Sequence, residues 1–189
     1  MAAATGLIEA AEATCNPWAL SLALFTYGYA FSDTDPARAL DAMRRGLVIA
    51  KDSGNRANES ILAITLARLE AKHGDPLAAL EYVILAMRNY YDAGNEAMIR
   101  SPLAILAAFL DRLGHPESAA TIAGYAFTPL TAVSFPELDT DFAHLRDVLG
   151  EATYESLARK GETMTTAAMV AYAHDQIDQA RTELKTVAK

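Results

Sequence analysis

The sequence predicts an all-α protein, a right-handed solenoid of αα-hairpins with a C-terminal capping helix. Two markers that recur with a step of forty residues support this prediction. The Gly-Asp-Pro stretch at 74–80 recurs in altered form at 34–40 and 114–120, and the stretch 50–55 recurs as 90–95. A repeat of this period indicates a solenoid, a propeller or an array. The sequence lacks runs of alternating β-branched residues, so we expect no sheet.

The first marker has the chemistry of a joint between two helices. We expect Gly74 to end a helix in the left-handed conformation that glycine adopts without a Cβ penalty. Asp75 suits the N-cap of the next helix, and Pro76 suits its first position, where no N–H is needed. The Gly-Asn pairs at 54–55 and 94–95 then end the second helix of one repeat and start the next repeat.

Apolar residues at steps of three and four predict amphipathic helices between these joints. The predicted helices are 2–13, 18–31, 36–51, 56–73, 76–93, 102–113, 116–127, 137–149, 151–160 and 166–187. Ser101 is expected to cap the helix at Pro102, after a separate turn near 96–100. The stretch 128–136 contains two prolines and is expected to be a loop. Gly124 lies inside a helix, which predicts the close approach of a neighbouring helix.

We expect one domain over 1–189, assembled from repeats. Its parts are a truncated helix of a preceding repeat at 2–13, repeats at 16–55, 56–95 and 96–135, and a degenerate repeat with the capping helix at 136–189. The truncated first helix predicts that the chain is a piece of a longer solenoid. The almost wholly apolar helix 18–31 would then leave an exposed apolar end.

The last helix carries an apolar seam with the spacing of a coiled coil. The seam consists of Val170, Ala173, Ile177, Ala180, Leu184 and Val187. It is short for a coiled coil, so we favour a capping helix laid over the end of the solenoid. A homodimer through this seam is the alternative.

Composition and charge exclude several classes of function. The net charge is −8 and no basic stripe is present, so we expect no contact with nucleic acid. No uncharged apolar stretch reaches the length of a membrane span, and the first residues do not resemble a signal peptide. The single cysteine, Cys15, cannot form an internal disulfide, which fits a reducing compartment such as the cytoplasm.

No motif for catalysis, metal or cofactor binding is present. The four histidines are scattered, at positions 73, 115, 144 and 174. We therefore expect no metal, no cofactor and no catalytic residue. His144 with Asp141 and Asp147 forms a helix-spaced set that leaves a hydrolase or lyase as a remote alternative. That alternative predicts a deep cleft around His144.

Small residues recur where the two helices of a hairpin would meet. They are Ala67 and Ala107 in first helices, Ala39, Ala79 and Ala119 early in second helices, and Gly46, Ala86 and Ala126 later in them. This pattern resembles the tetratricopeptide repeat, although the period exceeds the usual thirty-four residues. Tyr27 departs from the pattern in the first repeat. The longer helices look like those of maltose-type bacterial activators.

A closer resemblance covers most of the chain after Arg45. The stretches 74–80, 113–124 and 149–154 are similar to the C-terminal segment of actinobacterial STAND-type signalling ATPases, which carry adenylate-cyclase or LuxR-type domains. The resemblance implies a regulatory segment, because the phosphate loop, cyclase site and DNA-reading helix of that family lie upstream. Nothing in this chain matches those elements.

The functional surface that the resemblance implies is the concave groove lined by first helices, which would hold a protein or peptide. Candidate residues there are Asn55, Arg56, Asn58, Glu59, Tyr90, Tyr91, Asn95, Glu96 and Arg100. The structural alternative is that Asn55 and Asn95 only cap helices, while Tyr90 and Tyr91 fill the core between repeats. A small-molecule effector in the groove is a second functional hypothesis.

Overall fold

The computed structural model describes the backbone of residues 2–187 and the side chains of residues 6–186. Over this range the chain is helical and contains no strand. The helices are α1 (Ala2–Ala13), α2 (Pro17–Phe31), α3 (Pro36–Asp52), α4 (Arg56–His73), α5 (Pro76–Asp92), α6 (Arg100–Arg112), α7 (Pro116–Ala126), α8 (Pro129–Ser134), α9 (Leu138–Leu149), α10 (Glu151–Glu162) and α11 (Thr166–Val187). The predicted all-α helical repeat is confirmed, and its handedness stays a prediction.

The predicted loop at 128–136 is wrong, because it contains the short helix α8. Thr128 and Thr131 close a reciprocal capping box: Thr131 N donates to Thr128 Oγ1 at 3.3 Å, and Thr128 N donates to Thr131 Oγ1 at 2.7 Å. Pro129 occupies the first position, where a proline starts a helix. The proline that suggested a break is therefore part of a helix start.

The start of α6 also differs from its prediction. Ser101 does not cap this helix but lies inside it, buried. Ile99 stands at the N-cap without a side-chain hydrogen bond, after a turn over residues 96–99. Pro102 falls in the first turn, where backbone N–H groups have no helical partner, so it interrupts no hydrogen bond.

The predicted caps at the aspartate joints are confirmed. Leu77 N donates to Asp75 Oδ1 at 2.8 Å, and Arg38 N donates to Asp35 Oδ1 at 3.1 Å. In the third copy of this joint His115 takes the capping position and makes no side-chain cap bond. The aspartates thus supply the partner that the free amides of the first turn need.

Gly74 does not adopt the predicted left-handed conformation, since its φ is −131°. Its role is to leave space for Glu70, whose carboxylate would overlap with a Cβ at position 74. The buried Glu70 carboxylate pairs with Arg44, whose pKa it raises, and its Oε2 accepts from Asp75 N at 3.0 Å. One carboxylate therefore links α3, α4 and the joint that follows α4.

The chain divides into two compact units, Met1–Asn89 and Tyr90–Lys189. In the first unit, helices that follow one another along the chain pack together: α1 on α2, α2 on α3 and α3 on α4. Its core is built from large apolar side chains: Leu24, Tyr27, Phe31, Met43, Leu62, Leu66 and Leu69. In the second unit α6 packs on α7, but α7 also packs closely on α10, which is not its neighbour in sequence.

The predicted small positions are all buried. These are Ala39, Gly46, Ala67, Ala79, Ala86, Ala107, Ala119 and Ala126. At Gly46 a Cβ would lie 3.2 Å from the Cβ of Leu24, tighter than most contacts. In the first repeat the small residue is Gly28, next to Tyr27, and a Cβ there would lie 2.6 Å from Met43 Cγ.

The predicted close approach at Gly124 is confirmed and involves a second glycine. A Cβ at Gly124 would overlap with the backbone of Ala158, and a Cβ at Gly161 would overlap with the carbonyl of Thr121. Helices α7 and α10 thus cross with their backbones in contact. At such distances carbonyl groups accept weak Cα–H hydrogen bonds, and dispersion contacts are dense.

Helix α11 lies on α7 within the second unit, as expected of a capping helix. It buries Met169, Ala173, Ile177 and Ala180. Polar contacts to α7 flank this apolar face: Ser118 hydrogen-bonds Gln176, and His115 Nε2 lies 3.1 Å from Glu183 Oε2.

Three residues of the predicted seam, Ala173, Ile177 and Ala180, are therefore buried within one chain. Val170 and Leu184 are partly exposed, and the side chain of Val187 lies outside the described residues. Dimerisation through the seam stays a prediction, with Val170 and Leu184 as the members that keep exposed surface.

The α7–α10 crossing predicts the effect of adding one methyl group. We expect Gly161→Ala to lower the free energy of unfolding by about 1–3 kcal/mol, because the helices must move apart. Gly6→Ala is the matched control, since Gly6 has no neighbour within 4 Å and lies in α1. Alanine there is expected to be neutral or stabilising by up to about 1 kcal/mol. Urea unfolding measures both, and equal effects would contradict the close crossing.

The Glu70–Gly74 contact predicts that substitutions at these two positions change the free energy of unfolding non-additively. Gly74→Ala is expected to destabilise the protein while Glu70 is present, because the new Cβ displaces the buried carboxylate. In a Glu70→Ala background most of that effect should vanish, which gives a coupling free energy of about 1 kcal/mol or more in a double-mutant cycle. If urea unfolding shows that the two changes in the free energy of unfolding add, the absence of a Cβ at Gly74 is not needed to accommodate the Glu70 carboxylate.

Candidate functional site

The nine residues predicted for the groove fall into two groups, one at each Gly-Asn turn. Asn55, Arg56, Asn58 and Glu59 open α4 in the first unit. Tyr90, Tyr91, Asn95, Glu96 and Arg100 surround the equivalent turn in the second unit. The glycines of both turns have a left-handed φ, +69° at Gly54 and +63° at Gly94, so the two turns share one backbone shape.

In the first group the asparagines are structural. Asn55 Oδ1 accepts from Asn58 N at 3.2 Å, which caps α4. Asn58 is buried, and its Nδ2 donates to Ser21 Oγ at 2.7 Å and to the Trp18 carbonyl at 3.3 Å. These bonds hold the start of α4 on the start of α2, so Asn58 is not available to a partner. Glu59 is buried beside it.

Arg56 also contacts the protein itself. Its Nη1 donates to Asn89 Oδ1 at 3.2 Å. Asn89 is buried, and its Nδ2 has no hydrogen-bond partner among the described residues. A buried amide in this state is uncommon, because an unpaired donor costs about 1–3 kcal/mol. In the first group Asn58 and Glu59 are therefore buried, Asn55 is partly exposed and Arg56 is exposed.

In the second group the side chains have different roles. Asn95 Oδ1 accepts from Met98 N at 3.1 Å, so it caps the turn as the structural alternative predicts. Tyr90 is buried, which also follows that alternative, whereas Tyr91 is 45% exposed. Arg100 lies 4.3 Å above the ring of Tyr125 and donates to the Tyr125 carbonyl, so it is already engaged within the unit.

A cavity of about 160 Å³ opens at this second turn. Its lining combines the turn with the start of α11, and consists of Tyr90, Tyr91, Gly94, Asn95, Glu96, Ile99, Thr166 and Ala167. Sequence reasoning found Tyr90, Tyr91, Asn95 and Glu96 of this set. It did not include Gly94 and Ile99 among the site residues, and it missed Thr166 and Ala167 of α11. Nothing in the sequence indicates that a helix so far along the chain reaches this turn.

The packing of Tyr125 positions the α11 side of the cavity. Its hydroxyl donates to Thr166 Oγ1 at 2.8 Å, and Arg100 covers its ring. Ala168 N donates to Thr165 Oγ1 at 3.2 Å, which caps the first turn of α11. The cavity wall is therefore fixed by hydrogen bonds and by an aromatic contact.

The charges around the cavity oppose one another. Glu96 contributes a carboxylate, while the N-terminus of α11 contributes the partial positive charge of its first turn. The tyrosine rings and Ile99 supply the apolar surface of the lining.

A second concavity, of about 360 Å³, lies along α10. Its lining residues are Ala152, Glu155, Ser156, Arg159, Lys160 and Thr163, and all of them are exposed. It is an open groove along one helix face. Small-molecule sites normally enclose most of the surface of their ligand, which this groove does not.

The surroundings of His144 do not form a deep cleft. Its side chain is 61% exposed, and its Nδ1 lies 2.7 Å from Asp111 Oδ2. Asp111, on α6, is the partner that the helix-spaced set with Asp141 and Asp147 did not include. Over the described part of the chain, no group of three or more histidine, cysteine or acidic residues could hold a metal ion.

Asp141 lies next to this pair and is half-buried. Its burial raises the pKa of its carboxyl group; Arg112 opposes this shift, while Glu137 and Asp111 add to it. His144 acts in the same direction as Arg112. Ionised Asp141 is therefore less stable in the folded protein than in the unfolded chain.

Comparisons with protein-family models, with curated proteins and with solved structures found nothing that matches this chain. None of the helices within residues 2–187 combines the length and apolar character that crossing a membrane requires.

The raised pKa of Asp141 predicts a pH-dependent gain from Asp141→Asn. Because the folded-state pKa lies above the unfolded one, the charge is unfavourable at neutral pH and this penalty disappears as pH falls through the folded pKa. The asparagine variant should be more stable than the wild type at about pH 7, and the difference should shrink towards about pH 4. Asp139→Asn, at an exposed position in the same first turn of α9, controls for the helix dipole. Urea unfolding at both pH values checks this, and a difference that does not vary with pH would contradict it.

Proposed function

We propose that this chain is a non-catalytic helical-repeat module that recognises a segment of a partner protein through the cavity at the Gly94-Asn95 turn. The observation that carries this proposal is the cavity itself. It joins a recurring turn of the repeat to the helix that caps the second unit, and Tyr91 stands exposed at it. Exposed tyrosines are frequent anchors of recognition surfaces.

The size of the cavity decides which class of ligand fits. Its volume of about 160 Å³ is close to that of a cavity of about 150 Å³ that takes a benzene-sized group. Sites for small molecules usually start at about 300 Å³. A single aromatic or branched aliphatic side chain of a peptide therefore fits better than a complete effector molecule. For this reason we place partner recognition ahead of the small-molecule hypothesis.

The apolar part of the lining agrees with such an anchor, because the rings of Tyr90 and Tyr91 and the side chain of Ile99 offer apolar contact. Polar groups at the rim, such as Asn95, can bind the backbone of the peptide around the anchor. The recognised segment would then be short and would carry one buried apolar residue.

The wider setting of this module is proposed from the sequence resemblance alone. By this resemblance, the module would form the C-terminal part of a bacterial signalling ATPase or transcription regulator, including those linked to adenylate cyclase. The partner would be another protein or another domain of the parent chain. A cytoplasmic location is proposed on the single, exposed and unpaired Cys15.

Tyr91→Ala tests the proposal with peptides selected from a random display library on the 189-residue chain. The selected peptides should share one aromatic or aliphatic residue, and Tyr91→Ala should weaken their binding about tenfold or more. The free energy of unfolding should change by no more than about 0.5 kcal/mol, because Tyr91 is exposed. Titration calorimetry and urea unfolding measure the two effects.

Val133→Ala is the matched control, since Val133 is 82% exposed in the same unit but does not line the cavity. It should leave peptide affinity unchanged. The proposal is wrong if selection yields no peptide, or if the selected peptides bind the Tyr91→Ala variant as tightly as the wild type.

A further inference from the structure

Helix α2 in the first unit has an apolar face that the described residues do not cover. None of its residues is charged. Trp18 is 53% exposed and Tyr29 is 57% exposed, and Leu22 and Phe25 between them are partly exposed. These four residues, spaced 4-3-4 along the helix, are called the α2 stripe below. A helix that is apolar on most of its surface normally has neighbours on most sides.

The forty-residue repeat shows what covers such a stripe elsewhere in the same unit. The residues one period later, on α4, are Asn58, Leu62, Thr65 and Leu69, and all of them are buried. Leu62 and Leu69 lie in the core that α4 shares with α2 and α3, the two helices of the hairpin that precedes it. Asn58 bonds Ser21 of α2, and Leu62 lies against Gly46 of α3.

For α2, only one of the two corresponding neighbours is present among the described residues, namely the second helix of the preceding hairpin. Helix α1, at Ala2–Ala13, lies one period before residues 42–53 and so corresponds to the later part of α3. It packs on α2, as α3 packs on α4. No described helix takes the place against α2 that α2 itself takes against α4.

We propose that the α2 stripe binds an amphipathic helix in the position of the first helix of a preceding repeat. The stripe runs from Trp18 to Tyr29, about 16 Å along the helix axis, so three to four helical turns of the partner would cover it. The Phe25 and Tyr29 rings, with centroids 6.1 Å apart, form one continuous aromatic surface for its apolar side. This site lies in the first unit, whereas the cavity at Tyr91 is lined by residues of the second unit.

The chain supplies its own probe for this site. Residues 56–81 contain a first helix, the joint and the start of a second helix. Placed directly before Ala2, they complete a repeat in register, because residue 82 is equivalent to residue 2. Fusion gives the helix a high effective concentration at the stripe. Trp18 is the single tryptophan of the chain, so its fluorescence reports on the stripe alone.

In the extended protein we expect acrylamide quenching of Trp18 to fall about fivefold and its emission to shift to shorter wavelength, as a buried helix contact requires. A control extension with lysine in place of the isoleucine copied from 61 should leave Trp18 as accessible as in the 189-residue chain, because 61 is equivalent to Ser21, the α2 residue that contacts Asn58 of α4. In the active extension, Tyr29→Lys should restore quenching. Val48→Lys, at an equally exposed position on α3, should not restore it.

Two results would overturn the proposal. In the first, Trp18 stays as accessible with the active extension as with the lysine control. In the second, Trp18 of the unextended chain becomes protected as protein concentration rises and the sedimentation mass doubles. That result would assign the stripe to a second copy of the chain.

Discussion

The structure depends on helices that approach one another closely, because glycine lets their backbones touch and alanine is small enough to pack beside these contacts. At the crossing of α7 and α10, Gly124 and Gly161 each face a backbone group of the other helix, with no space for a Cβ. In the first unit Gly28 and Gly46 have the same role between α2 and α3. Short side chains limit how much apolar area each helix buries by itself. Close approach compensates, because dispersion contacts are numerous when backbones meet.

The candidate site is a consequence of this packing. Since α11 lies on α7 and buries Ala173 and Ile177, its first turn is carried to the Gly94-Asn95 turn. Tyr125 then links Arg100 to Thr166, so the cavity wall belongs to the core and is not a loose loop. A rigid wall reduces the entropy lost when a ligand side chain is bound.

Local chemistry made much of this structure predictable. Helix bounds agreed with the structure within two residues at nearly every end, because caps and joints are decided by a few adjacent residues. Asn55 caps α4 and Asn95 caps the turn before α6, as their position after a turn glycine suggests. The predictions that were wrong concerned residues whose conformation depends on contacts with residues farther along the chain or on a competing local role. Gly74 serves a buried carboxylate four residues earlier, and Pro129 starts a helix where proline was taken as a breaker. The α11 wall of the cavity could not be predicted, since its contact is set by tertiary packing.

The closeness of α7 and α10 can be observed directly by nuclear Overhauser spectroscopy on the labelled protein. The structure predicts cross-peaks between the Hα protons of Gly124 and Ala158, and between Hα of Gly161 and the amide proton of Tyr125, since a Cβ at Gly161 would lie 3.2 Å from that amide nitrogen. Assigned resonances for these residues with no cross-peak between the two helices would contradict backbone contact as the basis of the fold.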